Sequence, residues 1–346
     1  LVPSSELARL AEAAVKDGRT AGISFVVTRG GTVLASGAFG FADLESRVPA
    51  ALTTVYAIGS LTKTFTAAAV LTLADDGRLS LDDPLGTYLP GFPEPGRHAT
   101  IRQLLDHTSG IRSMTSLGPR YWAQAGREIE PADLVAIFAN EPPDFPPGTD
   151  FRYSNSGYVL LGLVVEKASG MAWGAYVTKR LLVPLGLSST RDGETADLIP
   201  GRARGYSRKK SGGFENAWHV SLTQGYAAGA LLSTAGDVGA WIRRLSVKPP
   251  LSAASARAMT TPATLANGKT LSYGFGIGID SFAGHGRLCH GGGLPGFDAW
   301  AAYVPDDDLA VAVLCNTDGD VAMEVADAMA GLVLGAPDAK TRRPGP

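Results

Sequence analysis

Strand-prone runs crowd the two ends of this 346-residue chain and are scarce between them, and that separation restricts the fold more than any other feature. Near the start, residues 23–28 and 32–35 flank Arg29-Gly30-Gly31, the pattern of a hairpin. Near the end, 273–280, 287–290, 297–304 and 309–316 read as four strands joined by short turns. From 79 to 222 the pattern changes to short helical pieces broken by Pro and Gly, as in Gly91-Phe92-Pro93-Glu94-Pro95-Gly96, with one strand-prone stretch at 204–214. An amphipathic helix carrying Leu7, Leu10, Ala11, Ala14 and Val15, capped by Ser4 or Ser5, precedes the first strands. Another helix, 321–334, follows the last, and the Pro- and Arg-containing tail beyond it reads as frayed. The expected organisation is a layered sheet domain from 1–78 and 223–346, interrupted by a mostly helical domain at 79–222.

Composition narrows the function classes. With 31 basic against 33 acidic residues the net charge is -2, so the chain lacks the positive field that nonspecific nucleic-acid binding needs. The charge-free stretch 216–236 holds His219, Gln224 and several glycines and hydroxyls, so no membrane span is expected. Cys289 and Cys315 form no C-x-x-C pattern and read as small core residues, with a single disulfide left open. His285, Cys289 and His290 are close in sequence, but strand alternation turns Cys289 away from His290 and no zinc spacing is present. No metal or other cofactor is expected.

Three short motifs carry candidate chemistry. Ser60-Leu61-Thr62-Lys63 opens an Ala- and Leu-rich helix over 60–73, so the hydroxyl and amine share one helix face. A desolvated amine there takes the hydroxyl proton and makes a nucleophile. Chance alone supplies about 0.6 S-x-x-K matches in a chain of this composition, and a decoy exists at Ser207 and Lys210, in a basic turn with no apolar helix behind it. Tyr153-Ser154-Asn155 adds a phenol that relays protons and an amide that holds both the lysine and a substrate carbonyl. His290-Gly291-Gly292-Gly293 lies between two strand runs, where glycines on an edge let an acyl group approach and free N–H groups meet an oxyanion. The competing structural readings are a helix cap, an Asx-turn and a Gly-rich hairpin turn. H-G-G-G also occurs in the oxyanion loop of α/β-hydrolase lipases, but the G-x-S-x-G elbow that such enzymes need is missing.

In order and spacing the three motifs resemble the serine β-lactamase and penicillin-binding protein superfamily, and within it the class C branch, which includes D-alanyl-D-alanine carboxypeptidases, D-aminopeptidases and β-lactamase-fold esterases. Leu104-Leu105-Asp106-His107-Thr108-Ser109-Gly110 and Gly229-Ala230-Leu231-Leu232-Ser233-Thr234 are phrases of the same kind. The resemblance implies an α+β fold, an antiparallel β-sheet flanked by helices with a mostly helical inserted domain and the site in the cleft between. It makes Ser60 the acylated nucleophile, Lys63 its proton acceptor or electrostatic partner, Tyr153 the acid/base for the leaving group and His290 the remaining catalytic group, with Asn155, Gly291 and Gly292 as substrate contacts. The backbone N–H groups of Ser60 and Gly293 would form the oxyanion hole. Export to the periplasm or outside is also implied.

One departure matters. β-Lactamases mostly carry K-T-G or K-S-G where this chain has His290, and Lys210-Ser211-Gly212 lies too soon after Tyr153 to take its place. A mostly neutral imidazole offers less positive charge than an ammonium. The expected function is therefore a serine hydrolase acting through an acyl-enzyme on small esters or on D-amino-acid amides and peptides. The alternatives are a class C type β-lactamase and a catalytically silent homologue that binds peptide or cell-wall fragments. His107 reads as a buried loop histidine, and Tyr121, Trp122, Phe214, Trp218 and Tyr226 as core residues with a secondary claim on an acyl pocket. The partner is a small ester or peptide; the sequence leaves the oligomeric state open.

Overall fold

A computed structural model describes residues 2–193 and 198–338. Its first helix, α1 (Ser4–Lys16), begins directly after Pro3 and has no side-chain cap, in contrast to the expected Ser4 or Ser5 cap. Strands β1 (Gly22–Arg29) and β2 (Thr32–Asp43) form the predicted hairpin, but β2 runs eight residues beyond 35 and pairs with a short β3 (Val48–Pro49). The late strands are β4 (Gly278–Phe282), β5 (His285–Leu294), β6 (Phe297–Val304) and β7 (Leu309–Cys315). Among the described residues they form one antiparallel sheet of seven strands, ordered β3-β2-β1-β7-β6-β5-β4, in which β1 joins the two ends of the chain by pairing with β7.

Side-chain alternation decides how the sheet is covered. In β7, Leu309, Val311, Val313 and Cys315 face one core with Leu7, Ala11, Val325 and Met329 from α1 and the last helix (Val321–Val333). Ala310, Ala312 and Leu314 face the other core, where Trp241 and Ile242 lie on the helix Ala235–Arg244. Both faces are covered, so β7 is apolar throughout. Cys289 and Cys315 are buried and free; β6 lies between their strands, which rules out the bond that the sequence had left open.

The expected strand 273–280 is shorter than its pattern. Strand β4 starts only at Gly278, because the chain first folds back through Gly274, whose N–H donates to the carbonyl of Ile277. Gly276 sits there at φ 69°, where an added Cβ would lie 2.7 Å from the carbonyl oxygen of Lys63. This contact seats the turn on the helix Thr62–Asp75 that carries Lys63. The frayed tail expected beyond 334 falls from 339 onward outside the described residues.

Between the two sheet segments the regular structure is mainly helical and joined by long loops, the longest described helix being Asn155–Ser169. The expected strand signal at 204–214 is a short hairpin, Tyr206–Arg208 with Phe214–Asn216. Lys210 is exposed at its tip and Ser207 donates to Asp318, so neither the decoy pair nor Lys210-Ser211-Gly212 reaches the cleft chemistry. No described helix is long and apolar enough to cross a membrane.

Candidate active site

Ser60 sits in a 3₁₀ turn, Gly59–Leu61, that runs into the helix Thr62–Asp75, whereas the sequence pattern had placed it in the first α turn. Gly59 adopts φ 49°, a left-handed value that glycine accepts without a Cβ clash. Residues 62–73 of the helix are buried on every side. Its threonines survive burial because each finds a partner: Thr64 accepts from the indole of Trp241 at 2.7 Å, and Thr66 donates to the Ala227 carbonyl at 2.7 Å. Phe65 stacks on Trp241 at 4.0 Å. The Ser60 turn therefore runs directly into a helix that is packed on all sides.

Lys63 projects from this helix and is fully buried. Its Nζ lies 3.0 Å from Ser60 Oγ, 2.7 Å from Asn155 Oδ1 and 2.8 Å from the Ala228 carbonyl oxygen. No carboxylate is among these partners, and burial holds the amine well below its ordinary pKa. A neutral amine has two N–H groups and one lone pair. The two carbonyl-type oxygens take the N–H groups, which leaves the lone pair for the Ser60 hydroxyl.

Asn155 opens the helix Asn155–Ser169 and is fixed on three sides. Its backbone N–H donates to Ser113 Oγ at 3.1 Å, its Nδ2 to Thr115 Oγ1 at 3.1 Å, and its Oδ1 receives Lys63. One Nδ2 hydrogen remains for a substrate. Tyr153 stands beside Lys63, whose Nζ is 4.8 Å from the ring centroid. The Tyr153 hydroxyl is buried and closes no hydrogen bond among the described residues. Burial pushes its pKa up, and the nearby Ser60 hydroxyl offsets only part of that. His107 packs against the Tyr153 ring at 4.3 Å, and its Nδ1 accepts the Ser154 N–H at 3.1 Å. The imidazole is thus a buried support, and burial with the nearby Lys63 and His290 lowers its pKa well below the usual histidine value.

The H-G-G-G segment is strand, not turn. It forms the second half of β5, paired with β6 through Leu294, while β4 pairs only as far as Cys289. Beyond His290 one edge of β5 is left without a neighbouring strand, and the Ser60 turn packs there. A Cβ on Gly292 would lie 1.9 Å from the Ile58 carbonyl oxygen and 3.1 Å from Ser60 N. A Cβ on Gly59 would lie 2.9 Å from Gly293 N. The backbone N atoms of Ser60 and Gly293 therefore border one seam, at the wall of a cleft of about 280 Å³. Gly291 instead backs onto the Trp300 ring, away from the seam.

His290 is buried beside this seam. Its Nδ1 lies 2.6 Å from the Gly291 carbonyl oxygen and its Nε2 lies 2.9 Å from the Tyr273 hydroxyl. Burial, followed by the charge of Lys63, lowers its pKa to about 4, against a smaller opposing effect of the Gly291 carbonyl. Tyr273, Ser113, Thr115 and the Ala228 carbonyl complete the site and escaped sequence reasoning, although Ala228 directly precedes the Gly229–Thr234 phrase. Of the aromatic residues noted in sequence, Tyr121 and Trp122 line the cleft, and Trp218 meets Trp122 at 5.9 Å. Tyr226 instead donates to Glu166 and packs on Trp173, and Phe214 lies in the outer hairpin.

Comparison with known proteins agrees with this arrangement. The chain is 30% identical over 315 residues to "Penicillin-binding protein 4*" of Bacillus subtilis (strain 168), covering 87% of this chain and 69% of that protein. It is 30% identical over 332 residues to a "D-aminopeptidase" of Cereibacter sphaeroides, covering 92% of this chain and 61% of that one. The curated relatives are longer: the chain spans 61 to 69% of their lengths. A D-stereospecific amidohydrolase from Streptomyces sp. superposes with a TM-score of 0.78 at 30% identity, over 93% of this chain and 98% of that one. The Beta-lactamase family profile matches residues 7–336. A serine in a 3₁₀ turn and a buried lysine on the helix it runs into, beneath a glycine-rich edge of an antiparallel sheet, thus accompany a match along nearly the whole chain, which belongs to the beta-lactamase family.

Proposed function

We propose that this chain is a serine hydrolase that forms a covalent acyl-enzyme on Ser60, with small esters or amides of D-amino acids as substrates. The observation that carries the reading is the buried Lys63 amine, 3.0 Å from Ser60 Oγ and with only Asn155 Oδ1 and the Ala228 carbonyl as its other partners, an arrangement in which the amine, once neutral, can take the Ser60 proton. In the attack, Ser60 Oγ bonds to the substrate carbonyl carbon while its proton passes to Lys63. The N–H groups of Ser60 and Gly293 meet the oxyanion. Collapse breaks the bond to the leaving oxygen or nitrogen, which receives a proton through Tyr153. Water then attacks the acyl carbon, the acid departs, and Ser60 regains its proton.

The D-stereospecific amidohydrolase among the similar proteins supports the amide branch. The replacement of a lysine by a neutral His290 argues against efficient β-lactam hydrolysis. A silent binding protein would have no use for a desolvated amine aimed at a serine. The test is intact-mass analysis after reaction with a fluorophosphonate, beside Ser60→Ala, followed by rates on p-nitrophenyl esters, D-alanyl-p-nitroanilide and nitrocefin. A single adduct confined to the native protein, with ester or anilide turnover above nitrocefin, is the expected result. No adduct and no turnover would favour the binding protein, and dominant nitrocefin turnover the β-lactamase.

A further inference from the structure

The cleft beside Ser60 carries a second piece of information, its charge. Among the described residues no Asp, Glu, Lys or Arg side chain lines it. Its walls are apolar at Met114, Trp122, Val220, Leu294 and Pro295. The polar groups in the walls are largely committed to the protein itself. Trp122 Nε1 donates to the Thr115 carbonyl at 3.1 Å, and Gln224 Nε2 donates to the Gln124 and Arg127 carbonyls at 3.2 and 2.8 Å. Gln224 Oε1 is the exception: it is buried and closes no hydrogen bond among the described residues. Asn155 holds Lys63 and Thr115.

The charged or chargeable groups behind the cleft do not compensate. Lys63 is buried under Ser60 with its hydrogen bonds filled, and both His290 nitrogens are occupied by Tyr273 and the Gly291 carbonyl. A carboxylate entering this cleft would leave water and meet no cation; an ammonium would meet no carboxylate. Either costs more than the cleft returns, because an unpaired charge loses its hydration without compensation. At the outer end, Trp218 is half exposed, and its ring meets Trp122 at 5.9 Å. An exposed indole that continues an apolar wall offers a face to a flat or branched apolar group.

Within the hydrolase reading above, on which this inference rests, we propose that the cleft selects substrates uncharged on both sides of the scissile bond. The preferred class is neutral esters and N-blocked amides with an apolar or aryl acyl group, and the Trp122–Trp218 pair is the specificity-determining wall. Substrates with a free carboxylate or a free α-ammonium close to the reacting carbonyl are disfavoured.

The experiment compares pairs of similar shape that differ in charge. One pair is p-nitrophenyl pentanoate against the p-nitrophenyl monoester of glutaric acid; the other is N-acetyl-D-phenylalanine p-nitroanilide against D-phenylalanine p-nitroanilide. The expected result is kcat/KM at least tenfold higher for the neutral member wherever a pair is turned over. Val220→Arg should lower the pentanoate-to-glutarate ratio at least fivefold, and Trp218→Ala should lower the ratio of p-nitrophenyl phenylacetate to acetate by a similar factor. Equal rates within a pair, or preference for the charged member, overturns the proposal while leaving the hydrolase intact. Loss of the fluorophosphonate adduct and of all turnover in the native protein would instead remove the hydrolase reading itself.

Discussion

Tyr273 donates its hydroxyl proton to Nε2 of His290 across 2.9 Å, and the direction of that bond follows from the other side of the ring. Nδ1 faces the Gly291 carbonyl oxygen at 2.6 Å, and a carbonyl only accepts, so Nδ1 carries the imidazole hydrogen. In the neutral ring Nε2 is then the acceptor. The imidazole has no nitrogen left for a substrate. This places His290 as a positioning residue: it fixes the start of the glycine segment that borders Ser60.

Burial and Lys63 hold the His290 pKa down to about 4 and stay in place when Tyr273 is replaced by Phe, but the variant loses the hydroxyl that donates to the neutral imidazole, so the His290 pKa should rise by part of its depression. The acid limb of kcat/KM should move to higher pH, alongside a loss of rate on the order of tenfold. The His290 ring-proton resonance, followed against pH, checks the assignment independently. An unmoved limb with an unmoved resonance would show that the Tyr273 contact does not govern this histidine.

The same residue links stability to pH. His290 has a folded pKa near 4 against 6.5 for a free histidine, so the unfolded chain takes up a proton first as the pH falls. Stability attributable to this group is complete above about pH 6.5 and is lost as the pH drops toward 4, by at most on the order of 3 kcal/mol. His290→Asn should therefore lose less stability than the native protein between pH 7 and 4.5 in urea titrations. Parallel pH curves for the two proteins would contradict the assigned shift.

Tyr153→Phe tests the proton path. The phenol is buried, has no hydrogen-bond partner among the described residues, and sits beside the amine that serves Ser60. Loss of a positioned proton donor costs about 10² to 10⁴ in rate. Steady-state kcat on a p-nitroanilide, whose leaving group needs the proton, should fall further than kcat on a p-nitrophenyl ester, whose leaving group does not. Equal, small losses on both would take Tyr153 out of the mechanism.

The parts of this site that sequence made legible are those carried by local pattern. Ser60 and Lys63 are one helical turn apart, Tyr153 and Asn155 flank a helix start, and His290 to Gly293 interrupt two strand runs, so spacing alone exposes them. The short, unbroken apolar run of β7, bounded by turn residues, likewise announced a strand. Tyr273 stayed hidden because its role comes from a turn closed by Gly274 and Gly276 on the Lys63 carbonyl, a long-range contact that no neighbouring residue signals. For the same reason the pattern overextended the strand that begins at Gly278. Ser113, Thr115 and the Ala228 carbonyl fix Asn155 and Lys63 from short helical segments far away in sequence, and a backbone carbonyl has no sequence signature at all.

Lys63→Met separates chemistry from stability. Without the amine, acylation of Ser60 should slow by at least about 10³, the upper part of the range for a lost general base. The stability effect has an unusual sign, since the folded pKa of this lysine is depressed by burial. Between that value and 10.5 the unfolded chain binds more protons than the folded one, so the native protein gains stability as the pH rises, by up to about 1.4 kcal/mol per pH unit. The methionine variant lacks this slope. Denaturant titrations from pH 7.5 to 9.5 should show the native protein gaining on the variant; a constant difference would mean an ordinary, exposed amine.

Adjacent glycines of β5 should respond oppositely to alanine. At Gly292 the added methyl would overlap the Ile58 carbonyl oxygen at 1.9 Å, a backbone atom in the strand-to-turn segment that presents Ser60, so relief requires β5 and the turn to separate. That movement widens the seam in which the Ser60 and Gly293 N–H groups lie, and misplaced oxyanion donors cost about 10² to 10³ in kcat. At Gly293 a Cβ meets nothing within 4 Å, the φ is not left-handed, and alanine keeps the N–H. Gly293→Ala should therefore unfold within a few degrees of the native protein and still take up the fluorophosphonate, whereas Gly292→Ala should lose most acylation even where it remains folded by circular dichroism. If the two variants acylated alike, the packing of the glycine strand against the Ser60 turn would not be what builds the oxyanion seam.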